Sequence, residues 1–431
     1  MFLVFIFAMF PGISVFNWTQ GSFQFGVQSY FMSLGLIFLQ VIFFLTQGRS
    51  LVFSKSTQFF LTIFIFCIIY VIISSFLLPR VFEGLPIYSP RLGIDSQYEN
   101  LTKLIWTPSN LVQSIYLILN FIFLVFILKE NSISLNQSRV VLTSSALIYS
   151  FLILLQKSLD LLKISFPYNL IYNNPTYGYG FSQQISGNLR VQAGFTEAST
   201  AAAYGAALFA FCLFEYLRGQ KHYLILTLGV FLSVILTTSS TGIALIAIIF
   251  LMLLPRGLYS LILGRFILKL GFVYIVSIVF FLMVFIVFPQ FAAALSEITI
   301  AKSQSLSFRN RLASDLASLN IFVQTAGYGV GLGSNRPSSF FTALLSNLGW
   351  IGVVVVIALG RFFYQWWHRW WKNPDLQTSL MAAFFVYVIT KLIALPDVND
   401  PIFWTLLGIA LIVRLKYWKI TTKAALMQME G

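Results

Sequence analysis

Apolar stretches long enough to cross a hydrocarbon layer of ~30 Å recur along the whole chain, without the polar alternation of a half-buried strand. In lipid every backbone N–H and C=O must find its partner inside the protein, so only helices or closed barrels span. Continuous runs select helices. Only 9% of the 431 residues are charged, against about 25% in soluble chains, and no polar stretch is long enough to bury a core of its own. The sequence therefore predicts an all-α fold, a polytopic membrane helical bundle forming a single integral membrane domain over 1–431.

Hydropathy places about twelve spans, near 2–16, 28–47, 57–78, 111–128, 140–156, 199–217, 222–237, 241–254, 266–288, 339–359, 377–395 and 402–414. The first lacks a charged leader and a small-residue cleavage site, so it reads as a helix and not as a signal sequence. Charge then orients the bundle. One set of loops holds sixteen basic residues against four acidic ones; the other holds ten against nine, and Lys391 falls inside a span. By the positive-inside rule the first set, with both termini, is cytoplasmic. The net charge of +14 thus serves orientation and contact with the lipid bilayer, and implies no nucleic acid. Cys67 and Cys212 sit in apolar runs of different spans, and with two histidines they form no metal-ligand motif.

The cytoplasmic loops are short, whereas the opposite side carries polar segments at about 79–110, 157–198 and 289–338. Long loops on a rigid scaffold are usual places for function. In the third, Phe308, Leu312, Leu316, Leu319, Phe322 and Val323 recur at helical spacing. They predict an amphipathic helix lying at the membrane surface or on the bundle. It leads into Gly327-Tyr328-Gly329-Val330-Gly331-Leu332-Gly333-Ser334. Alternating glycines let backbone N–H groups converge on an anion or a sugar oxygen; they equally suit a turn or close packing.

The candidates for chemistry are ionisable groups at the outer boundary. Glu197 precedes the small-residue run Ala198-Ser199-Thr200-Ala201-Ala202-Ala203. It either complements a helix dipole or orients and deprotonates a hydroxyl. Arg190 suits an anion, since a guanidinium fork binds phosphate bidentately. Arg309 and Arg311 flank Asn310 and point about 200° apart on a helix; Arg309 lies nearer the apolar face, and Arg311 is spaced to pair with Asp315. Arg336 follows the glycine tract. Four arginines and one carboxylate on loops of one face make a plausible receptor for a lipid-linked pyrophosphate.

Residues Arg190 to Ser199, the Ser239-Ser240-Thr241-Gly242 corner, Arg311-Leu312 leading to Gly329-Val330-Gly331, and Leu348-Gly349-Trp350-Ile351-Gly352 together resemble the O-antigen polymerase and ligase superfamily. The resemblance covers roughly 190–415; the first 150 or so residues agree only in hydropathy. It implies a bacterial inner-membrane glycan enzyme with about twelve helices and large periplasmic loops. In its register Arg311 takes the family's arginine, while the helical-face reading favours Arg309. Ala198 stands where the family often has proline. The ligase branch typically carries a histidine after the glycine tract; here Ser334-Asn335-Arg336-Pro337-Ser338-Ser339 has none, which favours a polymerase.

The resemblance therefore implies a metal-independent glycosyltransferase without cofactor. It would move a growing glycan from undecaprenyl pyrophosphate to a new lipid-linked repeat unit. Glu197 and Arg311 would be catalytic; Arg190, Arg309, Arg336, Gly329, Gly331, Gly333 and Ser334 would bind substrate. Its partner is the undecaprenyl-pyrophosphate-linked oligosaccharide, and whether a chain-length regulator binds is left open. Two alternatives stand beside it: a ligase delivering glycan to lipid A-core, and a flippase or transporter of lipid-linked oligosaccharide, for which Lys391 would be the intramembrane charge.

Overall fold

A computed structural model describes residues 2–20, 23–48, 51–89, 101–129, 133–175, 184–185, 188–262, 306–372 and 374–417, with four isolated helical residues between 271 and 282. In chain order its helices are α1 (Phe2–Ala8), α2 (Ser29–Thr46), α3 (Lys55–Val81), α4 (Pro108–Leu128), α5 (Leu135–Leu161), α6 (Tyr168–Ile171) and α7 (Ala198–Leu217). Then come α8 (Tyr223–Leu236), α9 (Ser240–Ile262), α10 (Leu306–Gln324), α11 (Phe340–Leu348), α12 (Trp350–Lys372), α13 (Leu376–Ile393) and α14 (Pro401–Ile412). Three antiparallel hairpins complete it: β1 (Ser14–Gln20) with β2 (Phe23–Gln28), β3 (Pro86–Ile87) with β4 (Thr102–Lys103), and β5 (Gln184–Ile185) with β6 (Asn188–Leu189).

Eight of the described helices are long and apolar enough to cross a membrane: α2, α3, α4, α5, α7, α9, α12 and α13. The expected bundle of about twelve spans is met only in part, for several physical reasons. The span expected at 2–16 is instead a seven-residue helix followed by a hairpin. Pro11-Gly12 stops the helix, and the β-branched and aromatic run Val15-Phe16-Asn17-Trp18-Thr19 prefers an extended strand. Seven residues reach only about 10 Å, so the cytoplasmic N-terminus inferred from that span loses its support. The span expected at 266–288 lies almost wholly outside the described residues. The span expected at 339–359 is broken: Gly349, at φ +61°, ends α11 and α12 starts at Trp350. Helix α8 has fourteen residues, about 21 Å, and falls short of a ~30 Å layer on its own.

The chain packs as two compact units built from interleaved segments, 1–29, 136–303 and 366–387 in the first, 30–135, 304–365 and 388–431 in the second. Helix α7 is the core of the first unit, with every residue from Ala201 to Tyr216 buried. Its alanines and Gly205 admit neighbours at close range. A Cβ on Gly205 would stand 2.3 Å from the Tyr149 hydroxyl and 2.7 Å from Val234. Small residues give membrane helices this close packing, because lipid offers no hydrophobic drive between them. At the far end of α7, Glu215 is fully buried, 3.0 Å from Arg139 and 2.7 Å from Arg218.

In the second unit α4 packs on α3 and α14, with Phe64 meeting Phe121 and Trp404 at 5.6 and 6.1 Å. A polar thread crosses this apolar packing. Tyr30 donates to Asn120 at 2.8 Å, Asn120 to Asn399 at 3.3 Å, and Asn399 to the Gln113 side chain at 2.8 Å. Buried amides far from water need such partners, and here they knit α2, α4 and the turn before α14.

Candidate functional site

In the first unit the expected catalytic carboxylate lies at the start of α7. The backbone before it is fixed by two side chains. Gln156 Oε1 accepts from the N–H groups of Gln192 (3.0 Å) and Ala193 (2.8 Å), and Tyr172 donates to the carbonyls of Ala193 and Phe195. Ala193 holds φ +49°, and Gly194 packs so tightly on Phe10 that a Cβ would lie 2.4 Å from its ring. Val191 through Phe195 are buried, Arg190 is half-buried, and Glu197 is exposed.

Glu197 is the N-cap of α7, one residue before the helix proper. Its carboxylate makes no capping bond to the helix N–H groups; among the described residues it accepts only the Ser199 hydroxyl, at 2.9 Å. The purely helix-complementing reading is weakened accordingly, and an anchored backbone presents the carboxylate outward. The Ser239–Gly242 corner joins the same end of this bundle: a Cβ on Gly242 would lie 2.9 Å from that of Ala202. Thr237, Thr238 and Ser239 are buried there, and Thr237 donates to the Val234 carbonyl at 2.7 Å. Two of the stretches that carry the family resemblance are therefore neighbours within one unit.

In the second unit the glycine tract does something other than cradle an anion. All four glycines have positive φ, at +80°, +78°, +85° and +84° for Gly327, Gly329, Gly331 and Gly333. The alternation brings the expected compact backbone, but the N–H groups from Gly327 to Leu332 already have protein acceptors. Gly329 donates to Thr325 Oγ1 (3.0 Å), Val330 to the Ser346 carbonyl (2.8 Å), Gly331 to the Asn347 carbonyl (3.0 Å) and Leu332 to Ser75 Oγ (3.0 Å). Ser334 Oγ donates to the Val330 carbonyl and accepts from Asn110. A Cβ on Gly329 would meet Asn347 backbone at 2.9 Å, on Gly331 Ser75 Cα at 2.8 Å, and on Gly333 Ser109 O at 2.9 Å. The N–H groups of Gly329, Gly331 and Ser334, expected to converge on a ligand, are engaged by protein, and the glycines at 329, 331 and 333 seat the tract against α11, α3 and α4.

Asp315 is also reassigned. It accepts from the Ser338 and Ser339 N–H groups (3.0 and 3.1 Å) and from the Ser338 and Thr342 hydroxyls (2.7 Å each), closing the N-terminus of α11. The expected Arg311–Asp315 pair does not form. The Ser338-Ser339 pair three to four residues before Thr342 was the available sequence signal for this cap. Asn335 and Asn347 were missed altogether. Asn335 donates to Ser318 (2.8 Å) and Ser346 (2.9 Å) and accepts from the Tyr88 N–H at 3.0 Å, and Asn347 donates to the Asn335 carbonyl at 2.8 Å.

The arginines of this unit differ in setting. Arg309 is exposed and Arg311 half-buried, and the guanidinium group of neither makes a hydrogen bond or ion pair with a described residue. The face of α10 that carries Arg309 is its outward one, so nearness to the apolar stripe no longer argues for a site role. Arg336 meets Asp397 at 3.2 Å, both well exposed, in a pair of little energetic weight. Lys391 is fully buried; it donates to the carbonyls of Leu395 (3.1 Å) and Asp397 (2.7 Å) and to Asp400 (3.2 Å), beneath the rings of Phe340 and Phe403.

Fold and composition make the chain a multi-pass helical membrane protein. Compared with known proteins, it matches no family model, no curated protein and no solved structure.

Proposed function

We propose that the chain is a bacterial inner-membrane polymerase of lipid-linked oligosaccharide repeat units, working at the periplasmic face. The observation that carries this reading is the exposed Glu197 carboxylate on a loop pinned by Gln156 and Tyr172. A preorganised base is what glycosyl transfer to a hydroxyl requires. Glu197 takes the proton of the acceptor hydroxyl as its oxygen bonds to the anomeric carbon of the donor glycan. The bond from that carbon to the pyrophosphate breaks, and undecaprenyl pyrophosphate leaves with the electron pair. Guanidinium groups of the kind that stabilise a departing pyrophosphate are carried by Arg190 in the unit of Glu197 and by Arg311 and Arg336 in the other. No metal or cofactor enters this scheme.

Transport of the same lipid-linked glycan is the second reading, favoured by the helix break at Gly349, since broken helices often frame transporter sites. Against it, the N-terminus of α11 is filled by Asp315, and Lys391 is enclosed by protein acceptors. The test is to delete the gene in its host, complement with wild type, Glu197→Gln or Arg311→Ala, and size the surface glycan on a gel. Loss of a general base costs about 10²–10⁴ in rate, so the ladder should collapse to a single repeat with each variant. A full ladder with both variants expressed would overturn the proposal. Polymer retained on the carrier lipid and missing from lipid A would indicate the ligase.

A further inference from the structure

Helix α10 is amphipathic in the sense opposite to a helix in water. Its buried stripe is largely polar: Asn310, Ser314, Ser318 and, just past its end, Thr325 are each 1% exposed or less, with Ile321 at 2% the apolar residue among them, packed with Ile87, Leu104 and Val330. Its outward apolar stripe is Leu312, Leu316 and Val323, exposed by 51%, 58% and 72%, bordered on one side by the exposed polar residues Arg309, Asn320 and Gln324. The hydroxyls inside are satisfied, Ser314 on the Arg311 carbonyl, Ser318 on the Ser314 carbonyl and Thr325 on the Ile321 carbonyl. A contiguous apolar stripe of this kind marks a surface that something covers.

The neighbouring surface says what covers it. Phe322 packs edge-on against Trp350 at 5.4 Å, and the Trp350 N–H donates to the Gly327 carbonyl at 2.8 Å. Trp350 opens α12, whose own outward residues Val354 and Ile357 are 58% and 64% exposed, on a helix long and apolar enough to cross a membrane. The α10 stripe therefore continues a face that lipid wets. Arg309, exposed near the start of α10, is placed for a lipid phosphate, as long cationic side chains are at membrane boundaries.

We propose that α10 is embedded in the bilayer, with Leu312, Leu316 and Val323 against lipid acyl chains of the leaflet opposite the basic loops. Part of the third polar segment is then a membrane element and not an aqueous loop. The proposal is independent of the reaction assigned above.

The test uses the full chain in phosphatidylcholine–phosphatidylglycerol vesicles, with Cys67→Ser and Cys212→Ala as background. A nitroxide is attached at Leu312→Cys, Leu316→Cys or Val323→Cys in turn, and at Glu83→Cys, an exposed turn residue, as aqueous reference. The expected result is loss of collisional broadening by a water-soluble nickel chelate at the three α10 positions, with broadening by oxygen retained. Nickel accessibility equal to that at Glu83 would put the stripe in water and overturn the proposal. Protection from both reagents with an immobilised spectrum would overturn it too, by placing a second copy or another protein there. Three independent outward positions keep the test decisive if one variant fails to fold.

Discussion

Replacing Lys391 by methionine should destabilise the second unit by about 3–4 kcal/mol, because it breaks a buried charge pair by removing one partner. The ammonium is fully buried and holds three acceptors, the carbonyls of Leu395 and Asp397 and the Asp400 carboxylate, at 3.1, 2.7 and 3.2 Å. A single hydrogen bond from a charged group contributes about 1.5–3 kcal/mol, and the three share one donor and do not add. Losing one member of a buried pair costs about 3–5 kcal/mol. The lower part of that range applies, since Asp400 keeps a second bond from the Ile402 N–H at 3.1 Å, through which it caps α14. The assay is denaturant unfolding of the full chain in detergent for wild type, Lys391→Met, Asp400→Asn and the double variant. Asp400→Asn alone should also destabilise, and the double variant should lose less than the sum of the singles by more than about 1 kcal/mol. A Lys391→Met stability within about 0.5 kcal/mol of wild type, or additive effects, would refute this account. It would also restore Lys391 as a charge available to cargo, as transport requires.

Two glycines and a buried acid give further expectations. Gly331→Ala should cost more than about 2 kcal/mol: the left-handed backbone alone costs roughly 1–2 kcal/mol, and its Cβ would press on the backbone of Ser74 and Ser75 at 2.9 and 2.8 Å. Gly360→Ala, in helix α12 with open space around it, should instead be neutral or stabilising by up to about 1 kcal/mol, and unfolding of the two variants side by side checks the contrast. Glu215→Gln should destabilise by about 2–3 kcal/mol, below the full cost of a broken buried pair, because Arg139 and Arg218 keep 25% and 21% of their side-chain exposure; denaturant midpoints measure it, and an unchanged midpoint would remove the clamp from the stability argument.

Hydropathy made the long spans legible because lipid imposes one rule on every backbone group, and α3, α4, α5 and α7 fall where apolar runs predict. It failed at the N-terminus, where Val15, Phe16 and Trp18 raise hydropathy as much in a strand as in a helix. Periodicity alone cannot separate those cases. It also fused α11 with α12, since the +61° φ of Gly349 is a conformational fact invisible to a composition window. Around the candidate site the residue types were readable but their partners were not. Glu197 was recognisable as a boundary acid, whereas its anchors Gln156 and Tyr172 lie 41 and 25 positions earlier in the chain. The glycine tract was visible, yet whether its N–H groups face a ligand or protein depends on Ser75, Ser346 and Asn347 arriving from distant segments.

The choice between Arg309 and Arg311 turns on which side of α10 is the inside. A helix in water hides its apolar face, and that assumption draws Arg309 toward the core. In a lipid-facing helix the same sequence turns over: the polar stripe of Asn310, Ser314 and Ser318 goes in, and Leu312, Leu316 and Val323 go out. Arg309 then shares the outward face, while Arg311 flanks the inward stripe and is half-buried. With Arg309 outward, the helical-face reading shifts to Arg311, the residue that the proposed polymerase function also uses. The reversal also explains why Asp315 is unavailable to Arg311: on the inward flank it meets the Ser338–Ser339 backbone and closes α11 before any cation can engage it. Arg311 has no carboxylate partner among the described residues, so on the proposed function its donor fork would be open to an anionic ligand.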